Sequence, residues 1–497
     1  MSYILKLFPV LFIISVSCEK QNFITNNTAK LAFSNDTVYF DTVFTTIGST
    51  TQSFMVYNKH SKPINITSIR LVGGSNSPFK ININGVPVSN ETNIEIAAKD
   101  SMYIFVQVMI NPNNINSPLF VSDSILFETN GNLQKVILVA WGQDVHLLKN
   151  VHLKTQTWPN DKPYLVYGTI YVDTSQVLTI EQGTKIYFHK NAGLIVDGSI
   201  IVNGTLSNHV VFRGDRLDKA LSDLPYDEIP AQWNYIWLRN ASRGNKFNYA
   251  DIRNAVTGIY VGAIGWPGEP DLELANCKIE NNSYAGILAV QSKIKGYNCL
   301  IDNCGSYGFA AIVGGSYQFY QTTFANYYAL SRTNGSVNVI LSNSYKLQIN
   351  NDSVNIDTSF NGDLKQAYFG NCIIYGSSSY ELFIVGVPGY QLNYQFEYCL
   401  IKYDLNNNID TSYINVADQT KFTRNIFSTN DCSDIQNGCY NGPVFNSTYT
   451  YKWNFELDSL SLAKDAGSLD IARLYPFDYY QKSRLSDNGP DMGAFEK

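Results

Sequence analysis

Histidine and methionine are scarce in this chain, five of each in 497 residues, and charged residues make up only 16%. There is no long basic run, and the formal net charge is −6. A surface that neutralises a phosphate backbone needs concentrated Lys and Arg, so nucleic acid is excluded as an expected partner. The chain is also poor in the helix formers Ala, Glu and Lys. In their place stand 34 Tyr, 27 Phe and abundant Asn and Ser, a strand-and-turn composition. A hydrophobic content of 44% is that of globular material and not of a disordered chain. At this length two or three domains are expected. Past the N-terminal stretch, no segment is apolar enough to span a bilayer.

The first residues combine Lys6, the apolar run "LFPVLFIISVS" and then Cys18. A charged start, a short apolar core and a small residue at the cleavage point describe an export leader over residues 1–17. Ser17-Cys18 resembles the lipobox of bacterial lipoproteins, which implies that Cys18 is the lipidated N-terminus of the mature chain. Residues 18–29 are then a tether, and the membrane is a partner through the lipid. Ser15 stands where that box usually has Leu, and the alternative is a plain secretory leader with an incidental cysteine. Export places the other seven cysteines in a disulfide-permissive compartment, where Cys432 and Cys439 are candidates to close a small loop.

Residues 30–148 read as short alternating strands broken by turn residues, among them "DTVYFDTVF", "INITSIRL", "SMYIFVQVMI" and "QKVILVAWG". That spacing predicts an antiparallel β-sandwich of about seven strands. The segment also resembles the immunoglobulin-like domains of the abnormal-spindle and hydin type. The likeness lies in Phe54-Met55-Val56-Tyr57-Asn58, in Ser77-Pro78-Phe79, and in "DSILFETNGN" followed by Gly142. It implies a spacer or binding module.

From about residue 149 to 425 the turns come too fast for helices. The run "LTIEQGTKIYF" with "LIVDGSIIVNGTL" resembles the first coils of bacterial parallel β-helix proteins. Further on, Ile252, Ile279, Ile301, Phe324, Ile374 and Ile401 recur about 22 to 27 residues apart, with one doubled gap, a period that signals a solenoid. Two residues before each lies a smaller one: Ala250, Cys277, Cys299, Thr322, Cys372 and Cys399. Positions two apart point to one face, so stacked coils build an Ile and Phe column beside a column of small side chains. The cysteines then act as compact apolar filler. Asn276, Asn298 and Asn371 are expected to form a ladder at a coil corner. The fold class is therefore all-β, a sandwich followed by a right-handed parallel β-helix. The closing "DMGAFE" resembles the ending of many secreted β-helix proteins and is expected, within residues 426–497, to cap the last coil.

Chemistry is sparse. The coils show neither the acidic calcium face with an Arg or Lys base of a lyase nor the paired aspartates of a hydrolase. One segment, "RGDRLDKALSDLPYDEIPAQW", interrupts the rhythm with acidic and basic residues. In it Asp215 and Arg216 are candidates for a clamp, and Asp227 with Glu228 for a calcium ion. If the protein is an enzyme, Asp215, Asp227 and Glu228 are the residues to suspect; otherwise no catalytic residue and no cofactor is expected. Trp266, Tyr380, Tyr390 and Tyr394 are candidates for a binding surface, since aromatic rings recur at recognition sites. Together with the "FDTVFTTIGS" and "GDRL" segments, which resemble envelope lipoproteins of the Bacteroidota, the reading is a non-catalytic outer-membrane lipoprotein. The cell surface is favoured over the periplasmic face. Its partner is an envelope protein complex or a glycan; the alternative is a polysaccharide lyase or glycoside hydrolase.

Overall fold

The computed structural model describes residues 22–113, 119–220, 224–327, 336–350, 355–403, 414–428, 443–448 and 452–497. Cys18, Cys432 and Cys439 lie outside them. The chain divides into two units, Met1–Asp144 and Val145–Lys497. The protein is nearly all β; among the described residues the one α-helix is Leu469–Leu474.

The first unit holds two five-stranded sheets whose inner faces share one core, with Val56, Ile64, Ile69, Phe79, Ile104, Phe127 and Leu138 fully buried. Alternation drives this: in Ser101–Val108 every second residue is buried and those between are exposed or half-buried. Two expectations need correcting. Among the described residues there are ten strands where about seven were expected, because the strands Ala32–Phe33, Val86–Val88 and Asn90–Ile96 complete the edges. The unit is also not wholly antiparallel, since Thr37–Phe44 runs parallel to Asn132–Gln143 with a register shift between Val139 and Trp141.

The second unit is a parallel β-helix. One face is an eleven-stranded sheet with one strand per coil, from His146–Lys149 to Ile426–Ser428. The other two faces merge into a seventeen-stranded sheet, because in the middle coils single long strands, Ala285–Tyr297 and Tyr307–Tyr320, run across the corner between them. The register stacks Phe212, Ile252, Ile279, Ile301, Phe324, Ile374 and Ile401 one above the next, all fully buried. Beside them Cys277, Cys299, Thr322, Cys372 and Cys399 are also fully buried, and the cysteines are free thiols. Where the doubled gap falls, Val339–Ser342 supplies the coil strand, and an antiparallel hairpin, Ser344–Asn350 with Asn355–Asn361, leaves the coil after it.

Corners repeat as strictly as strands. Tyr249, Asn276, Asn298, Gln321, Asn371, Tyr398 and Arg424 have φ between 43° and 52°, one left-handed residue at this corner of each successive coil. Asn is the non-glycine residue best suited to this conformation. Its amide then stacks: Asn298 Nδ2 donates to Asn276 Oδ1, and Asn276 Nδ2 to Asn248 Oδ1, each at 3.1 Å.

The tail does not sit where the sequence placed it. It lies along the flank of the eleven-stranded sheet, where Phe455, Leu457, Tyr479, Met492, Ala494 and Phe495 pack against the outward Leu300, Ala325, Ile373 and Leu400. Those coil strands are thus buried on both sides, and their adjacent apolar pairs Leu300-Ile301, Ile373-Ile374 and Leu400-Ile401 are the pattern such strands require. The asparagine ladder fastens the tail. Asn298 Nδ2 donates to Phe477 O at 2.9 Å, and Asn371 exchanges bonds with Ser468. Arg484, fully buried, pairs with Glu496 at 3.0 Å and donates to Gly493 O, Ala494 O and Asn298 Oδ1. Asp491 accepts from the backbone of Asp465 and Lys497.

Removing one partner of a buried ion pair strands the other, at a cost of about 3–5 kcal/mol. Arg484→Met is expected to lower the free energy of unfolding, measured by guanidinium denaturation, by that much and to expose residues 460–497 to proteolysis. Burial, then Asp491, push the Glu496 carboxyl from 4.5 up to about 7. The folded state therefore holds this proton more tightly than the unfolded chain. That contribution is complete below pH 4.5 and is lost as pH rises through about 7. Unfolding curves measured between pH 4 and pH 8 should show wild type losing stability over this window relative to Glu496→Gln.

Candidate functional site

The acidic segment is an ion-paired cover over one flank. Asp215 does not clamp Arg216: its carboxylate meets His189 Nδ1 at 2.7 Å, and that ring stacks on Tyr167 with centroids 4.0 Å apart. Burial nevertheless pushes the Asp215 carboxyl up against the lowering effect of the histidine. Arg216 turns to Asp218 with two bonds of 2.6 Å and lies over the Tyr226 ring. Asp227 lies between Arg213 at 3.2 Å and Arg253 at 3.1 Å, so two guanidinium groups occupy the carboxylate considered for calcium. Among the described residues no group of three or more His, Cys, Asp or Glu is placed to hold a metal ion.

Sequence reasoning found no second acidic group to complement this segment, yet the coils supply one. Arg253 pairs in register with Glu280, and Glu280 with Asp302. Burial, then Glu280, push the Asp302 carboxyl well up, and its Oδ1 has no hydrogen-bond partner. Burial alone would lower Arg253, but Glu280, Asp227, Asp251 and Glu228 around it hold the guanidinium charged. The signal was present: each of these residues directly follows Ile252, Ile279 or Ile301. Asp302, however, is only 2% exposed, too buried to meet a substrate.

The aromatic candidates separate. Tyr394 is only 6% exposed and belongs to the core, facing Phe396 and Phe422, so it is not part of a surface. Tyr380 is partly buried against the same core. Trp266 and Tyr390 are 57% and 44% exposed. A cleft of about 340 Å³ is lined by Pro267, Gly268, Glu269, Gln291, Gly315, Asp363 and Lys365, and neither ring is among its walls. Trp266 directly precedes three of the lining residues. Tyr390 precedes Gln391, whose N–H donates to Asp363 Oδ1 at 2.9 Å.

This cleft is made by coil corners. The loop 262–270 is held down by Asn240, whose Nδ2 donates to Trp266 O at 2.8 Å. Gly268 (φ 129°) and Gly315 (φ 126°) take a conformation closed to other residues; a Cβ at Gly268 would lie 2.3 Å from Asn240 O, and one at Gly315 2.2 Å from Tyr317 Oη. Beneath, the buried Tyr317 hydroxyl donates to Gly314 O at 2.7 Å. Lys365 pairs with Glu269 at the rim, both more than half exposed. The result is a concave site of mixed polar and apolar lining, within the size range of ligand pockets.

A second aromatic set was missed. The register stacks Tyr171, Ile195, Trp237, Tyr260 and Leu288 outward on one face, with Trp237 and Tyr260 parallel at 5.1 Å. Each of these two rings gives one face to the other.

The model of the right-handed β-helix region family matches residues 164–324. With the parallel coils described above, this defines the larger unit as a right-handed parallel β-helix. No curated protein matches the chain significantly. Among solved structures the chain is similar to the VesB protease of Vibrio cholerae, at 13% identity over 24% of this chain and 33% of that one, with a TM-score of 0.17. It is similar to a family 123 glycoside hydrolase from Clostridium perfringens, at 8% identity over 25% and 30%, TM-score 0.17. A third is the ASH/PapD-like domain of human CEP192, at 8% identity over 26% and 94%, TM-score 0.17. The chain spans about a third of the first two proteins. Scores this low carry neither fold nor activity across.

Gly268→Ala is expected to cost about 1–3 kcal/mol through backbone strain alone. It should also displace the loop, read as a change in Trp266 fluorescence, whereas Gly389→Ala, with open space around its Cβ, should leave that signal unmoved.

Proposed function

We propose that the chain is a lipid-anchored outer-membrane protein that holds a glycan, without cleaving it, in the cleft beside Trp266. The carrying observation is a concavity of about 340 Å³ lined by Glu269, Gln291, Asp363 and Lys365, with the exposed Trp266 next in sequence to its wall residue Pro267. Carboxylates, an amide and an ammonium group are the hydrogen-bonding set that hydroxyl-rich ligands need, and an aromatic face covers the apolar side of a sugar ring. Glu269 is paired and exposed, and Asp363 accepts a backbone N–H. That arrangement suits hydrogen bonding better than proton transfer in a water-excluded site.

A second reading, a lyase or glycoside hydrolase, is favoured by one fact: two carboxylates and a lysine line the same cleft. Affinity electrophoresis through gels containing individual polysaccharides separates the readings. Retention by at least one neutral or acidic glycan is expected, weakened about tenfold by Trp266→Ala and by Asp363→Asn, a loss of about 1.4 kcal/mol. Thermal midpoints should stay unchanged. Release of reducing or unsaturated ends during the run would establish the enzyme instead. Retention by no glycan, with a stoichiometric protein recovered from detergent-solubilised envelopes, would replace the glycan by a protein partner.

A further inference from the structure

The start of the described chain shares one end of the first unit with a group of lysines. Ile24 is the first residue pinned to the fold: its N–H donates to Pro63 O at 2.9 Å, and its side chain packs on the core. Around that point Asn58, 1% exposed, gathers the neighbouring loops by donating to Lys62 O and Ala97 O, each at 2.9 Å, and accepting from His60 N. Lys99 N donates to His60 O, and Lys99 Nζ to Lys59 O at 2.6 Å. The His60 ring contacts Lys30 O at 3.0 Å. Lys30, Lys59, Lys62 and Lys99 are all exposed. Glu95 and Asp100 offset part of this charge, and the patch stays net positive on a chain whose formal charge is −6.

We infer that this lysine end is a docking surface for the anionic phospholipid headgroups of the membrane that holds the chain's own anchor. The inference rests on the reading of Cys18 as lipidated. Five residues lie between Cys18 and Ile24, six steps along the chain, and a chain spans at most about 3.6 Å per residue, so Ile24 at the lysine end is kept within about 22 Å of the bilayer. A tether this short keeps the patch close enough to reach the layer, about one Debye length or 10 Å deep, where headgroup charge acts, and a basic patch beside an acyl chain is the second signal that makes anchoring stable. Phosphates fit the site because ammonium groups on mobile stems recognise them as point charges, with no shaped pocket. The contribution is screened by salt.

The test uses full-length mature chain carrying Cys18→Ser, so that no lipid contributes, sedimented with phosphatidylglycerol/phosphatidylethanolamine vesicles or with neutral vesicles. Salt-sensitive binding to the anionic vesicles alone is expected. The double variant Lys59→Gln/Lys62→Gln should lower partitioning roughly 25-fold, at about fivefold per lysine. Its thermal midpoint should not move, and Lys154→Gln/Lys190→Gln, in the other unit, should leave partitioning unchanged. Equal binding to both vesicle types, or no effect of the double variant, overturns the docking surface even where Cys18 is acylated. The mass of the N-terminal peptide from membrane-grown protein reads the anchor separately. An unmodified Cys18 overturns the anchor, and with it the assignment of that membrane as the partner, whatever the vesicles show.

Discussion

Everything in the larger unit depends on one constraint: each coil must return to the same azimuth about 4.8 Å further along the axis, so that backbone groups pair with the coils on either side. The corner asparagines meet it. Asn276, Asn298 and Asn371 adopt nearly identical left-handed φ values, and the stacked amides of Asn248, Asn276 and Asn298 join successive coils. The residue after each corner must then be small enough to turn inward, which is why Cys277, Cys299, Cys372 and Cys399 stand there as buried thiols. Burial, and the neighbouring thiol one coil away, push Cys277 and Cys372 well above the usual thiol range. They are inert filler and not reactive groups.

The same ladder ties the tail to the coils. Asn298 and Asn371 use what remains of their hydrogen-bonding capacity on Phe477, Ser468 and Arg484, so the flank cover is indexed to the coil repeat. Capping the last coil and covering the flank solve different problems. The outward Leu300, Ile373 and Leu400 would present a continuous apolar strip to water, and the tail removes it.

The cleft lies at a different kind of place from the covered flank, the corners where loops leave the coils. Its walls, Pro267 to Glu269, Gln291, Gly315, Asp363 and Lys365, come from segments far apart in sequence. The solenoid stacks those coils as near neighbours and makes one concavity of them. A rigid stack with variable corners is the usual arrangement for placing function on loops.

The β-helix was legible in the chain because its repeat is written in residue types: a large apolar anchor, a small residue two positions before it, and an Asn at the corner. The column of Ile252, Ile279, Ile301, Phe324, Ile374 and Ile401 needed only alignment of the segments. Trp266 was legible as an exposed aromatic, since a turn-rich insertion places its ring in water. Tyr394, directly before the strand Gln395–Glu397, was misread because the side on which its ring lies is set by packing against Phe396 and Phe422. Arg253, Glu280 and Asp302, the pairing of Asp227 with two arginines, and the meeting of Glu269 with Lys365 were decided by the tertiary structure alone. Each joins residues from different coils or loops, and one sequence does not say which corner loops share an azimuth. The position of the tail was likewise decided by packing: "DMGAFE" can cover any apolar surface, and the buried Arg484 with its partners selects the flank.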